Sequence, residues 1–275
     1  IAKGGMATVF LATDKESEDT VIWKQAHGEH NPLKVSNLKL SDEIELLQII
    51  NHPRVPRLIA HAMVSGQGKT ETRVLVEEYV EGGDLSMMVK QFSKVGIQLP
   101  FEKVREYLDG VCDVLAHMAG LPDPVYHRDL KPHNIIIHPQ HGPVLIDFGL
   151  AKMVATGEDV SVTRGGSGTW TAPERDSGIS GPFTDVYSLG KILYYLLTNE
   201  SPAAILSEEK VQIITEAEHP KWLADLTLKA AWPEREKRIQ TAQQFRILLN
   251  NEGKWPQDQE VMGADTGADE YTTWR

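Results

Sequence analysis

The sequence predicts an α+β chain in two lobes, a small β-rich N-terminal lobe with one main helix and a larger, mainly helical C-terminal lobe. Before residue 78 the chain is dominated by short runs of branched and aromatic residues of strand type, interrupted by one helical pattern. At Glu81-Gly82-Gly83 it breaks, which marks the boundary between the lobes. Beyond the break Val104, Leu108, Val111, Leu115 and Met118 fall at helical spacing and make one buried apolar stripe. With 275 residues, 41% of them hydrophobic, the chain is long enough to bury a core of that extent.

The elements follow in order. Val9–Thr13 and Val21–Trp23 read as a hairpin around the charged turn Lys15–Asp19. Ile44, Leu47 and Ile50 recur at helical spacing, with Ser41 expected to cap that helix and His52-Pro53 to end it. Val74–Val76 is a strand, preceded by a polar hairpin turn over Ser65–Thr72. Ile135–Ile137 and Val144–Ile146 flank the turn His138–Pro143 as a second hairpin. Val186, Leu189, Leu193, Leu196 and Leu197 form a strongly apolar helix, and Trp222 to Leu249 carries two more helical patterns. Residues 251–275 lose all periodicity, carry 6 acidic against 2 basic residues, and are expected to be a disordered or loosely docked acidic tail.

Composition excludes several functions. With 28 Lys+Arg against 39 Asp+Glu the formal net charge is -11, which argues against nonspecific nucleic-acid binding, because neutralising phosphates needs a basic surface. The single cysteine, Cys112, can form neither an internal disulfide nor a multi-cysteine zinc site, fits a reducing compartment, and reads as a small packed hydrophobe. No run reaches the roughly 18 apolar residues of a membrane span. The start, Ile1-Ala2-Lys3-Gly4, has neither an initiator Met nor a signal pattern, so the chain reads as a fragment with its first strand incomplete. The expected location is cytoplasmic, as a free protein or as the cytoplasmic part of a longer, membrane-attached one.

The chemistry is concentrated in two segments. Tyr126-His127-Arg128-Asp129-Leu130-Lys131-Pro132-His133-Asn134 joins the stripe helix to the second hairpin, and Asp147-Phe148-Gly149 follows that hairpin. The chain therefore returns two metal-competent groups to one place: an Asp with an Asn five positions on can offer a carboxylate to a hydroxyl proton and an amide oxygen to Mg²⁺, and the second Asp is the stronger metal ligand. These segments, with Ala172-Pro173-Glu174, resemble the signature set of the eukaryotic-like protein serine/threonine kinases. The resemblance runs from Ile1 to about Asn250, and its opening Gly-Gly-Met-Ala-Thr-Val-Phe looks most like bacterial members. It divides the chain into an N-lobe 1–77, a hinge 78–83, a C-lobe 84–250 and the tail 251–275.

The resemblance implies roles. Asp129 would orient the substrate hydroxyl and accept its proton, Lys131 would neutralise the γ-phosphate, and Asn134 and Asp147 would hold Mg²⁺, or in its place Mn²⁺. Lys24 would bind the α- and β-phosphates of ATP, paired with Glu43. In the phosphate-covering loop the three glycine positions fall on Ala2, Gly4 and Ala7, so only the middle glycine is kept. Adenine would lie between Val9 and Ile22 above and Ile136 below, with backbone contacts from Glu78 to Val80 and a ribose contact at Asp84. Ile22 is bulkier than the family's usual alanine, and Glu77 stands at the gatekeeper position, where an apolar residue or Thr is common. A lysine two positions after Asp129 is the Ser/Thr pattern, so protein Ser/Thr residues are the implied substrates. Gly66-Gln67-Gly68-Lys69-Thr70 only mimics the end of a Walker A loop, since Met63 stands at its first glycine position.

Regulation is implied as well. Arg128, read as a lone buried cation, would receive a phosphate placed on Thr163 or Ser161 of the activation segment 147–174, ordering it. Ser167 stands at the threonine position that bridges catalytic Asp and Lys, Trp170 replaces the usual Tyr, Glu174 would pair with Arg238, and Asp185 would anchor the catalytic-loop backbone. Phe148 would stack with His127, Leu47 and Leu58 in a column linking the lobes. Autophosphorylation at Thr272 or Thr273 would create a tail site for a phosphothreonine-reading partner. Two alternatives are a catalytically silent binding module and a small-molecule kinase; the presence of Lys24, Glu43, Asp129, Asn134 and Asp147 together opposes the first, and the complete activation segment opposes the second.

Overall fold

Branched residues alternating along the first 80 positions build a five-stranded antiparallel sheet. In this computed structural model, which describes residues 2–3, 7–27, 35–65, 71–154 and 168–256, the strands are β1 (Ala2–Lys3), β2 (Ala7–Thr13), β3 (Thr20–Ala26), β4 (Leu58–Ser65) and β5 (Glu71–Glu78), in the spatial order β1-β2-β3-β5-β4. Gly4, Gly66 to Thr70, Ser161, Thr163, Ser167, Thr272 and Thr273 lie outside the described residues. Register decides what the sheet presents. Val9 lies opposite Lys24, Leu11 opposite Ile22, Lys24 opposite Leu75 and Ile22 opposite Glu77, so these residues share one face.

The helix α1 (Val35–Ile49) packs against β3, β4 and β5 and buries Leu40, Ile44, Leu46 and Leu47. It starts six residues earlier than the sequence suggested. Ser41 does not cap it: its hydroxyl donates to Asn37 O at 2.9 Å, the backward bond a serine makes inside a helix. β4 escaped the sequence reading because it is an edge strand, mostly exposed, with no alternation of apolar residues.

After β5 the chain passes through β6 (Gly83–Asp84) into the helical part. Gly82 has φ 129°, and a Cβ there would stand 2.2 Å from Ile137 O, so only glycine lets the connection lie flush on the next hairpin. Helix α2 (Leu85–Lys94) is capped by Asp84, whose Oδ1 accepts from Met87 N at 2.8 Å. Helix α3 (Phe101–Ala119) buries its whole stripe together with Cys112. Burial raises the Cys112 thiol far above its ordinary range and leaves it an inert packing group. A short strand β7 (Val125–Tyr126) and the hairpin β8 (Ile135–His138) and β9 (Gly142–Leu145) follow, and β10 (Lys152–Met153) returns to pair with β7.

Helix α4 (Pro182–Thr198) is buried continuously from Thr184 to Leu197 and forms the axis of the helical part, with α3, α5 (Glu208–Glu216), α6 (Lys221–Ala230) and α7 (Ala242–Asn250) against it. The fold is the α+β architecture expected, a β-sheet lobe and a helical lobe. α2 and α5 had no sequence signal strong enough to name: α5 buries only Val211 and Ile214.

One polar group inside α4 is unexpected. Lys191 is fully buried, donates to Ala203 O and, at 2.8 Å, to Ala204 O, and lies 5.1 Å from the Tyr187 ring centroid. Burial pushes its ammonium down to about 8 from 10.5. Between those values the unfolded chain holds a proton that the folded chain has released, so stability should rise with pH across that window. Lys191→Met is expected to abolish that rise, seen as a wild-type-minus-variant difference in unfolding midpoint that changes between about pH 7.5 and pH 10. A difference that stays constant over this range would refute the assignment.

Candidate active site

Two loops, joined by one backbone bond, carry the chemistry. The first, Tyr126 to Asn134, is fixed from below by Asp185 in the first turn of α4: Oδ2 accepts from His127 N at 2.9 Å and Oδ1 from Arg128 N at 2.8 Å. Burial pushes the Asp185 carboxyl up, and the His127 ring and both backbone donors act against that rise. The second loop leaves β9 at Ile146, whose N–H donates to Asn134 O at 2.9 Å. Arg128 and Asp147 both adopt left-handed backbone, at φ 67° and 64°, strain of the kind that persists where a site requires it.

Within this frame Asp129 is 9% exposed. Its Oδ2 accepts from Lys131 Nζ at 2.6 Å, and its backbone oxygen accepts from Asn134 Nδ2 at 2.9 Å. The Asn134 amide nitrogen is thereby committed to the loop, which leaves its oxygen as the atom that could ligate a cation. Asp147 Oδ1 accepts only a long bond from Gly149 N, 3.3 Å. Among the described residues no group of three or more His, Cys, Asp or Glu could hold a metal. One carboxylate and one amide oxygen nevertheless fit Mg²⁺, a hard ion that takes few protein ligands and completes its shell with phosphates and water.

Above the loops, Lys24 Nζ lies 2.7 Å from Glu43 Oε1 and 2.8 Å from Glu77 Oε1. Burial disfavours the ammonium, but the carboxylates of Glu43, Glu77 and Asp147 outweigh it and hold Lys24 above the ordinary lysine range. Burial pushes the Glu43 carboxyl up, against the pull of Lys24. The pairing with Glu43 is the one the sequence suggested; for Glu77 the sequence leaves open a lysine or a backbone amide as partner, and the structure gives Lys24.

The remaining residues take their places around this centre. Val9 and Ile22 share the sheet face of Lys24, Ala2 pairs with Val9, and Ala7 pairs with Ala26. Ile136 on β8 pairs with Asp84 on β6, the position expected to contact ribose, and Asp84 spends one carboxylate oxygen on capping α2. Glu78 ends β5, with its N–H on Arg57 O at 2.9 Å, and leads to Val80 at the rim. The Phe148 and His127 rings lie 5.2 Å apart, Leu47 is in the same buried cluster, and Leu58 packs against it.

Beyond the second loop, Glu174 receives both Arg238 terminal nitrogens at 2.7 and 3.0 Å. Trp170 O accepts from Ser188 Oγ at 2.8 Å, and the Trp170 ring meets Tyr195 edge-on at 5.7 Å. Arg128 is not the lone cation expected, because Arg175, 1% exposed, acts on it electrostatically. Burial and Arg175 together push Arg128 down to about 10, with Asp185 opposing. Arg128, Lys39 and Lys152, together with the carboxylates of Asp42 and Glu45, line a cavity of about 310 Å³ between α1 and the residues after Asp147. Lys39 was legible in principle, four residues before Glu43 on one helix face. Arg175 carried no signal beyond its position next to Glu174.

A family model described as the protein kinase domain matches residues 1–253. The CBL-interacting serine/threonine-protein kinase 16 of Arabidopsis thaliana is 27% identical over 262 residues, 87% of this chain and 53% of its own length. The serine/threonine-protein kinase WNK of Caenorhabditis elegans is 31% identical over 74% of this chain and 11% of its own length. The serine/threonine-protein kinase PknA of Mycobacterium tuberculosis is 30% identical over 74% of this chain and 46% of its own length. The chain thus spans about half the length, or less, of these relatives, which come from a plant, an animal and a bacterium. Matched from Ile1 to Gly253, the chain belongs to the protein kinase domain family.

Proposed function

We propose that this domain transfers the γ-phosphoryl group of ATP to Ser and Thr hydroxyls of proteins. The observation that carries the reading is the direct bond between the two loops, Ile146 N to Asn134 O, which brings Asp147 beside Asn134 and Asp129 while Lys24 closes the site from the sheet. Asp129 orients the incoming hydroxyl and takes its proton, and Lys131, 2.6 Å away, lies where it can offset negative charge on the transferring group. Lys24 places the α- and β-phosphates, Asn134 and Asp147 bind the metal, and Val9, Ile22 and Ile136 exclude water from the base. Mg²⁺, or Mn²⁺, neutralises phosphate charge when bound with the nucleotide.

The same reading extends to control. A phosphate on Thr163 or Ser161, set by the domain itself, adds about -2 of charge, and the cavity beside α1 offers it Arg128, Lys39 and Lys152 against the two carboxylates of Asp42 and Glu45. Ser167 bridges Asp129 and Lys131, and phosphorylated Thr272 or Thr273 recruits a phosphothreonine-reading protein. A cytoplasmic location accords with the one free, buried cysteine. Among the described residues no helix is long and apolar enough to cross a membrane.

Incubation with Mg-ATP and a mixed Ser/Thr peptide library tests the proposal. Wild type should phosphorylate Ser or Thr and Asp147→Asn should not, and mass spectrometry of the wild-type chain should find phosphate at Thr163 or Ser161. Absence of transfer by the wild type leaves the binding-module reading in its place.

A further inference from the structure

The back wall of the cleft carries a charge that none of the roles above requires. Because Lys24 faces Leu75 and Ile22 faces Glu77, Lys24 and Glu77 are diagonal neighbours on one face of β3 and β5. Diagonal positions lie about 7–8 Å apart, within reach of two long side chains. Lys24 accordingly lies between two carboxylates, 2.7 Å from Glu43 and 2.8 Å from Glu77, all three residues being 9% exposed or less. An ammonium has three donors. One is bonded to Glu43, and Glu77 pairs with the ammonium by charge at 2.8 Å.

The two carboxylates are held in different ways. Glu43 projects from α1, which shares no strand ladder with the sheet and is held to it by side-chain packing and by the Asn37 side chain, whose Oδ1 accepts from Arg73 N at 2.9 Å and whose Nδ2 donates to Glu71 O at 3.2 Å near the far end of β5. Glu77 belongs to the sheet itself, on a strand bonded to β3 on one side and to β4 on the other. Its backbone cannot move away from Lys24 without breaking that ladder. We infer that Glu77 is a positioning residue that holds Lys24 at the phosphate site from within the sheet, so that Lys24 remains in place when Glu43 is withdrawn. The inference rests on the kinase reading for its functional consequence, although the ion pair itself does not.

The physical argument is one of compensation. A buried ammonium with one carboxylate is still paired, whereas one with none is an uncompensated buried charge, which is strongly destabilising in its bound position. Loss of either partner alone should therefore be mild and loss of both severe, the non-additivity expected of groups sharing one contact. In a site with Glu43 as the only partner, withdrawing α1 would release the lysine. Here it leaves the Lys24–Glu77 pair behind.

The test is a cycle of Glu43→Gln, Glu77→Gln and the double variant, with Lys24→Met as the reference for complete loss. Each single change should lower kcat/KM for ATP by less than about 10-fold and the double by more than about 100-fold, toward the Lys24→Met level. A second readout needs no catalysis: the rate at which formaldehyde and a borohydride reductant methylate the Lys24 amine in nucleotide-free protein, followed by peptide mapping. That rate should stay low in both single variants and rise in the double. If Glu43→Gln alone matches Lys24→Met in activity and exposes Lys24 to methylation, the inference is overturned. Should the double variant not fold, methylation of Glu43→Gln decides, with continued protection in support and release against. If the wild type transfers no phosphate, the kinase reading fails, and the methylation rates still decide whether Glu77 holds Lys24.

Discussion

Asp129→Asn is expected to lower kcat by about 10²–10⁴-fold, the range lost with a positioned general base, while the affinity for ATP changes little. The geometry makes the substitution a narrow one. Asn has the shape of Asp, and the bond that fixes the loop, Asn134 Nδ2 to Asp129 O at 2.9 Å, involves the backbone and survives the change. Asp185 continues to hold His127 and Arg128 by their N–H groups. What is lost is the carboxylate that pairs with Lys131 at 2.6 Å and that, in the proposed function, accepts the substrate proton. Steady-state rates at saturating ATP, with nucleotide affinity measured separately by titration, separate the two effects. A kcat within about 10-fold of wild type would show that the hydroxyl is activated by another group.

Sequence and structure divide the work of that site unevenly. Asp129, Asn134 and Asp147 stand out in the sequence because their spacing is chemical: for the role proposed, a loop has to return a carboxylate and an amide oxygen to one cation whatever the surrounding packing. The stripe on α3 and the core of α4 were legible because burial imposes a period, and those residues are buried. β4 and α5 lacked this signal, being edge elements that bury few side chains. The start of α1 was misplaced because Ser41 has the chemistry of a cap and uses it on Asn37 O instead. Glu77 was visible as an unusual residue open to a lysine or a backbone amide, but not as the partner of Lys24 in particular, since a diagonal contact depends on the register between strands about 50 residues apart in sequence. Arg175 shows the same limit, because nothing local foretells that its guanidinium is buried near Arg128.

Arg238→Met is expected to be the most destabilising single change in the helical part, by about 3–5 kcal/mol, the cost of breaking a buried ion pair from one side. Its guanidinium is fully buried and meets Glu174 at 2.7 and 3.0 Å, and it also donates to the backbone oxygens of Phe183, Trp232 and Pro233. Methionine fills a similar volume but supplies none of these donors, and the Glu174 carboxylate is left with a single bond from Thr184 Oγ1 at 3.2 Å. At roughly 2–4 °C per kcal/mol for a chain of this size, the unfolding midpoint should fall by about 6–20 °C. Lys237→Met is the contrast. That ammonium is 61% exposed and 3.6 Å from Glu234, so its loss should cost less than about 1 kcal/mol. Adding Glu174→Leu to Arg238→Met should recover part of the loss, because the uncompensated charge is removed with its partner. A variant that melts with the wild type would show that the pair contributes nothing net. A large loss would tie the segment after Trp170 to the first turn of α4, through Phe183 O and Thr184, and so to Asp185 and the backbone of the catalytic loop.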